Sequence, residues 1–240
     1  MLRKKAARQF QKGNKNFRYR GHEVKRIEAF TDAVFAFAVT LLIVSLEVPH
    51  NFEELMATMK GFFAFGISFI FLMLIWYEQN VFFRRYALDD IFTILLNCAL
   101  VFIVLFYVYP LKFLFTLLLG TSAAPVQIQQ SQVPQLMYIY GAGYVSIYIL
   151  FFLMYLHAAN KQEALELTEH ELFDTYTKMW AQLILVIIGL LSIITAALLP
   201  AGQAGKGGFM YFLIGPIYTI YYFMRYGKRK RLFELQKAEK

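Results

Sequence analysis

The stretch RIEAFTDAVFAFAVTLLIVSLEVP, from Arg26 to Pro49, decides the fold of this chain. It has no charged side chain between Ala33 and Leu46, and about 20 mostly apolar residues in a helix are enough to cross a bilayer core. The stretch therefore predicts a membrane-spanning helix. It also contains Asp32, and a carboxylate at mid-membrane costs about 2.5–3.5 kcal/mol unless it meets a partner or water. We therefore expect Asp32 to face protein.

The composition of the whole chain points to the same class of protein. Of its 240 residues, 59% are hydrophobic, whereas soluble domains average roughly 45–50% apolar residues. The single cysteine, Cys98, excludes an intrachain disulfide and a cysteine metal site.

Six apolar segments follow one another, separated by short charged or Gly/Pro-bearing connections. They lie at approximately 27–49, 58–83, 91–119, 134–158, 176–199 and 208–226. The sequence thus predicts an all-α polytopic membrane protein with six transmembrane helices. We divide it into a basic N-terminal arm (1–26), a six-helix transmembrane domain (27–226) and a basic C-terminal tail (227–240).

The basic residues predict the orientation in the membrane. Most of the 24 Lys and Arg side chains gather at the two termini and in the loops on the same side, whereas Lys60 and Lys206 stand on the other side and Lys112 within a span. The positive-inside rule then places both termini in the cytoplasm. The basic termini are suited to anionic lipid, and we expect no nucleic-acid partner.

Three connections carry local signals. Asp89 and Asp90 precede the third span, where carboxylates suit a helix N-terminus. The acidic segment 163–174 predicts a solvated helical extension with a capping box formed by Thr168 and Glu171. The glycines in 202–208 predict a flexible outer turn.

Signatures of enzymes and metal sites are missing from the sequence. There is no Walker loop, H-E-x-x-H, Cys-x-x-Cys or G-x-S-x-G motif, and the four histidines are scattered. We therefore expect no catalytic residue, no metal, no cofactor and no enzyme activity.

The first span has two faces with different chemistry. Successive residues of a helix are rotated by about 100°, so residues three and four apart share one side. One such stripe holds aliphatic and aromatic side chains, one hydroxyl group and, at its end, a carboxylate. Its members are Ala33, Phe37, Thr40, Leu41, Val44 and Glu47. Asp32, Val39 and Ile43 occupy another direction. Such a helix could line a pore, or the stripe could be ordinary helix packing in which Ala33 allows close approach.

The start of this span resembles a known family signature. Arg26-x-x-x-Phe30-Thr31-Asp32 is similar to the R-x-x-x-F-S-D motif of the lysosomal potassium channel family, transmembrane protein 175, and its prokaryotic homologues. The prokaryotic pattern is also matched at Trp76, Asn97 and Pro110. The resemblance therefore extends over about 200 residues. The resemblance implies a polar network among Arg26, Thr31, Asp32, Trp76 and Asn97. The chain departs from the family pattern at Gln79, where a histidine is common in the family. The contact that this position makes therefore stays open.

The resemblance also implies an assembly and a function. One six-helix repeat implies a homotetramer whose first helices line a pore for potassium ions, without a re-entrant carbonyl filter. The absence of a T-V-G-Y-G-like sequence agrees with this. For this chain, the resemblance implies that Phe37, Thr40, Leu41 and Val44 line the pore and that the apolar residues among them form rings that gate by dewetting. The position of Glu47 at the end of the stripe predicts that it lies at the outer mouth.

Two other functions remain open at this point. An ion-coupled secondary transporter would use Asp32 as an ion or proton site, and Pro110 is its only candidate for a helix break. A structural or assembly subunit would carry no flux.

Overall fold

The computed structural model describes residues 17–44, 50–120 and 128–238. Within these residues there are six α-helices, which confirms the predicted all-α fold. They are α1 (Arg26–Val44), α2 (Phe52–Tyr86), α3 (Ile91–Leu119), α4 (Val133–Asn160), α5 (Glu169–Leu198) and α6 (Ile214–Ala238). Two 3-10 helices, Gln130–Gln132 and Ala201–Leu213, precede α4 and α6.

Four helical segments of the described chain are long and apolar enough to cross a membrane. They are Thr58–Tyr86, Ile91–Leu119, Gln130–Asn160 and Glu169–Leu198. The first predicted span, 27–49, begins as α1 and extends beyond the described residues. The last, 208–226, begins in the second 3-10 helix and continues into α6.

The helices pack as two groups. Helix α1 contacts α2 and α3, while α5 packs on α4, on the second 3-10 helix and on α6, and α3 joins the groups through α4. Small residues bring α4 and α5 together, since a Cβ at Gly141 would lie 2.3 Å from Ile193 Cγ1 and one at Gly189 would lie 2.7 Å from Val145 Cγ2. Close approach at small residues is how helices associate in membranes, where the hydrophobic effect does not drive them together.

Large buried aromatic residues fill the core where α2 meets α4. Phe82, Tyr86 and Tyr155 are all at most 1% exposed, and the ring of Phe82 contacts that of Tyr155 edge-on with centroids 5.4 Å apart. This core holds the end of α2 against α4.

Two predicted helix caps are confirmed. Asp90 is the N-cap of α3 and accepts a hydrogen bond from the Thr93 amide. Thr168 and Glu171 form the predicted capping box at the start of α5.

Two predictions for the connections are wrong. The glycines after α5 form no flexible turn, because residues 201–213 are a 3-10 helix that packs on α5. A Cβ at Gly207 would lie 2.6 Å from the Ser192 carbonyl oxygen, so the glycine permits the close approach. The acidic segment is not uniformly solvated either, since Glu171 is 2% exposed and ion-paired with Arg20.

Candidate functional site

Helix α1 presents one exposed face in the single chain. Phe37 is 56% exposed and Ile43 is 50% exposed, and both lie on the same side as the exposed Thr40. Thr40 Oγ1 donates to the Ala36 carbonyl at 3.0 Å. Leu41 is instead half-buried and packs against the core. The structure thus brings together Phe37 and Thr40 of the predicted stripe and turns Leu41 partly inward.

Two residues of the predicted stripe cannot be placed in this way. Glu47 lies outside the described residues, as does the side chain of Val44. Of the residues predicted for another direction, Val39 packs against the core, whereas Ile43 joins the exposed face.

A buried chain of hydrogen bonds fixes the opposite side of α1. Thr31 Oγ1 donates to the Ile27 carbonyl at 2.8 Å and accepts from Asn97 Nδ2 at 2.7 Å. Gln79 Nε2 in turn donates to Asn97 Oδ1 at 3.2 Å. The three side chains come from α1, α3 and α2 and are at most 2% exposed. Gln79, whose contact the sequence left open, therefore completes the connection among these helices.

Asp32 makes a separate contact. Its Oδ1 accepts a hydrogen bond of 2.7 Å from Trp76 Nε1. The side chain is exposed in the single chain, and its carboxylate meets a protein partner, as the sequence predicted.

The implied place of Arg26 in the network stays a prediction. Arg26 is exposed, and the hydrogen bonds and ion pairs among the described residues join it to none of Thr31, Asp32, Trp76 and Asn97. It lines a cavity of about 730 Å³ together with residues 20–25 and the α2–α3 connection. Phe30 of the signature is likewise exposed, at 53%.

Lys112 supports the other end of α1, a role that the sequence did not suggest. Its Nζ donates to the Leu42 carbonyl at 3.0 Å, across from α3. This hydrogen bond ties α3 to the last described turn of α1.

A second polar cluster lies between α2, α4 and α5 and was also missed. Glu78 accepts from Lys178 Nζ at 3.0 and 2.8 Å, from the Tyr155 hydroxyl at 2.7 Å and from Gln182 Nε2 at 3.0 Å. An ionisable residue within the predicted span 58–83 was the signal that could have found it, because such residues require a partner in the membrane.

The α2–α3 connection carries a third cluster, around Asp90. Its carboxylate contacts His157 Nε2 at 3.0 Å and Lys161 Nζ at 3.2 Å. Burial raises the pKa of Asp90, but hydrogen bonds from Thr93, His157 and Lys161 outweigh it and hold that pKa below its ordinary value. The carboxylate therefore stays charged and continues to cap α3 when the pH falls.

The described residues hold no group of three or more His, Cys, Asp or Glu side chains arranged to bind a metal ion. The polar clusters instead join helices to one another. Together with the four membrane-length segments, they define a polytopic membrane protein whose first helix is braced on one side and exposed on the other.

Comparisons with known proteins identify the family. A family model described as the endosomal/lysosomal potassium channel TMEM175 matches residues 26–107. A potassium channel from Marivirga tractuosa is 37% identical over 235 residues, covering 92% of this chain and 95% of the relative. A potassium channel from Chamaesiphon minutus is 29% identical over 168 residues, covering 66% and 77%.

A solved structure agrees with these relatives. The crystal structure of a variant of the potassium channel MtTMEM175, in complex with a nanobody–MBP fusion protein, matches with a TM-score of 0.80 and 37% identity, covering 88% of this chain and 97% of that one. The chain belongs to the TMEM175 family of potassium channels. This is a family of channels and not of enzymes.

Proposed function

We propose that four copies of this chain form a potassium-preferring cation channel whose conduction path is lined by α1. The observation that supports this most is the division of α1 into two sides. One side is fixed by Thr31, Asn97 and Gln79, and the other exposes Phe37 and Thr40 in the single chain. A helix that is rigidly held within its own subunit can present its other side to an axis shared with three further copies.

The gate is proposed to be a set of apolar rings. Phe37 supplies the bulkiest ring, with Leu41 and Val44 further along the helix, and a narrow apolar ring expels water and blocks ions without physical closure. Ile43 is a further candidate, since it is also exposed in the single chain.

Thr40 is the proposed contact for the ion. Its hydroxyl hydrogen is used on the Ala36 carbonyl, so the oxygen keeps lone pairs to offer a partly hydrated cation. With no T-V-G-Y-G-like sequence in the chain, we propose that no re-entrant carbonyl filter is present and that selectivity for potassium over sodium is modest.

Both termini are proposed to be cytoplasmic, in a cell inner membrane, with anionic lipid at the basic termini. The exposed Phe223 is followed along α6 by the exposed basic residues Lys228 and Arg231. Arg225 joins α6 to α5, since its Nε donates to Thr177 Oγ1 at 2.8 Å. Basic residues next to an apolar surface are suited to lipid phosphates.

Flux measurements on purified protein in liposomes test the proposal. With a potassium gradient, we expect passive, voltage-driven flux and, in mixed potassium and sodium, a reversal potential displaced toward that of potassium. Strictly coupled transport would favour the secondary transporter, and a silent protein would favour an assembly role. Transporters of this kind commonly have broken helices around the ion site. Helix α3 runs without interruption through Pro110, which was the candidate for such a break.

A further inference from the structure

We propose that residues 17–25, which we call the N-terminal strap, fix the cytoplasmic end of α1, and that Arg20 is the positioning residue that holds the strap in place. The inference rests on the proposed function in one respect, namely that α1 lines the conduction path. It adds a device that sets the position of that helix from a second site, at the start of α5.

The guanidinium of Arg20 is surrounded by hydrogen-bond acceptors. Its guanidinium donates to Glu171 Oε2 at 2.9 Å. It also donates to four carbonyl oxygens, those of Leu165 at 2.9 Å, Arg18 at 3.1 Å, Glu166 at 3.2 Å and Arg85 at 3.4 Å. The Arg20 and Glu171 side chains are only 12% and 3% exposed. A planar guanidinium with five N–H donors can reach all of these acceptors, whereas an ammonium offers three donors from one atom.

The rest of the strap is fitted to the end of α2. Phe17 is 4% exposed, meets the Tyr86 ring edge-on at 5.7 Å between centroids, and lies under the Arg85 guanidinium at 4.8 Å. The Gly21 amide donates to the Arg84 carbonyl at 3.1 Å. A Cβ at Gly21 would lie 2.9 Å from the Phe83 carbonyl oxygen, so only glycine fits without movement of the backbone.

Little chain separates this anchor from α1. Four residues, 22–25, connect Gly21 to the start of the helix at Arg26, and four extended residues span at most about 14 Å. Lys25 reduces the freedom further, because its Nζ is ion-paired with Asp89 at 2.8 Å and donates to the Ala87 carbonyl. The first turn of α1 therefore cannot move far unless the strap moves with it.

The strap consequently ties α1 to the end of α2 and to the start of α5. While Arg20 is seated, the cytoplasmic end of α1 keeps the position that its apolar rings require. When Arg20 is released, that end becomes able to tilt away from the axis, and the resting potassium flux rises. Any partner that displaces the connection between α4 and α5 would act on the conduction path through this strap.

Two variants release the strap by unrelated means. Arg20→Gln removes the guanidinium, and Gly21→Ala places a methyl group against the backbone of Phe83 while removing no hydrogen-bonding group. Each has a matched control. Arg18→Gln makes the same change of charge two residues away in an exposed side chain, whose pair with Glu166 spans 3.4 Å. Gly227→Ala adds a methyl group where nothing lies within 4 Å.

Two measurements are made on the full-length protein in liposomes, after gel filtration has selected the assembled species. A spin label at His22→Cys, in a Cys98→Ala background, reports the mobility of the strap, and potassium flux reports the conduction path. We expect both release variants to mobilise the label and to raise resting flux by about tenfold, the scale at which losing a hydrogen bond to a charged group shifts an equilibrium. Both controls should match the parent.

Three results would overturn the inference: an immobile label in both release variants, a mobile label with unchanged flux, or a mobile label with reduced flux. If Arg20→Gln does not assemble, Gly21→Ala is judged by the same criteria. None of these results bears on the conduction path itself, which is tested separately by Phe37→Asn, so failure of the strap and failure of the proposed function are distinguishable.

Discussion

Trp76 Nε1 donates a hydrogen bond of 2.7 Å to Asp32 Oδ1, which ties α2 to the first turns of α1. A hydrogen bond to a carboxylate is roughly twice as strong as one between neutral groups. The carboxylate of Asp32 is thus engaged with its own subunit although it is exposed in the single chain.

We therefore predict that Asp32→Asn lowers the yield of assembled protein more than it changes ion preference. The asparagine oxygen still accepts from the indole, but the charge that strengthens the bond is gone. Gel filtration measures the yield and the reversal potential in mixed potassium and sodium measures the preference. Normal assembly with an altered reversal potential would place Asp32 on the conduction path instead.

Gln79→Leu should destabilise the protein by about 1–3 kcal/mol, because it leaves the buried Asn97 Oδ1 without the donor that it has now. Thermal unfolding in detergent measures the loss. Gln162→Leu is the control, since Gln162 is exposed in the turn after α4. Equal midpoints for the Gln79 variant and the parent would mean that this chain of side chains does not brace α1.

Glu78→Gln should cost about 1–3 kcal/mol, because it leaves the partly buried Lys178 ammonium without a carboxylate. The double variant Glu78→Gln with Lys178→Met should recover much of that loss, since it removes both charges. Glu163→Gln, in an exposed side chain, serves as the control. A double variant no more stable than Glu78→Gln would show that the pair is not the source of the effect.

The sequence predicted those parts of the structure that local chemistry determines. Spacing of apolar residues predicts the six helices, and short-range hydrogen bonding predicts the caps at Asp90 and Thr168. The contacts Trp76–Asp32 and Asn97–Thr31 were implied by the resemblance to the family, because no property of either helix alone specifies which side chains meet.

Contacts between residues far apart in the sequence were missed. Glu78 and Lys178 are separated by 100 positions, and Arg20 and Glu171 by 151. Periodicity locates a helix face but gives no register between helices, so neither pair could be derived. Residues 17–25 were assigned to a basic arm because their charge is obvious in the sequence, whereas the burial of Phe17 and the close fit at Gly21 depend on the folded ends of α2 and α5.

Glu47→Gln should reduce inward conductance, most strongly at low ionic strength. Four carboxylates at the outer mouth would concentrate cations, and a Debye length of about 8 Å at physiological salt confines that effect to their surroundings. Single-channel recording at low and high potassium measures it. Equal conductance of variant and parent at low salt would remove Glu47 from the conduction path.

Phe37→Asn should raise the resting potassium leak, and Val39→Asn should not. Phe37 is the largest of the residues proposed for the apolar rings and is 56% exposed in the single chain. Four copies of it would therefore form the tightest of those rings, and an amide there would stabilise water in the constriction. Val39 lies two positions along the same helix and packs against the core, so an amide there should reduce stability or assembly.

Flux into liposomes and gel filtration, applied to both variants, separate the two effects. If α1 were only a packing element, the two substitutions would act alike on assembly and neither would raise the leak. A leak that rises in Val39→Asn but not in Phe37→Asn would mean that the conduction path runs along the other side of α1, the side that carries the hydrogen bond between Thr31 and Asn97.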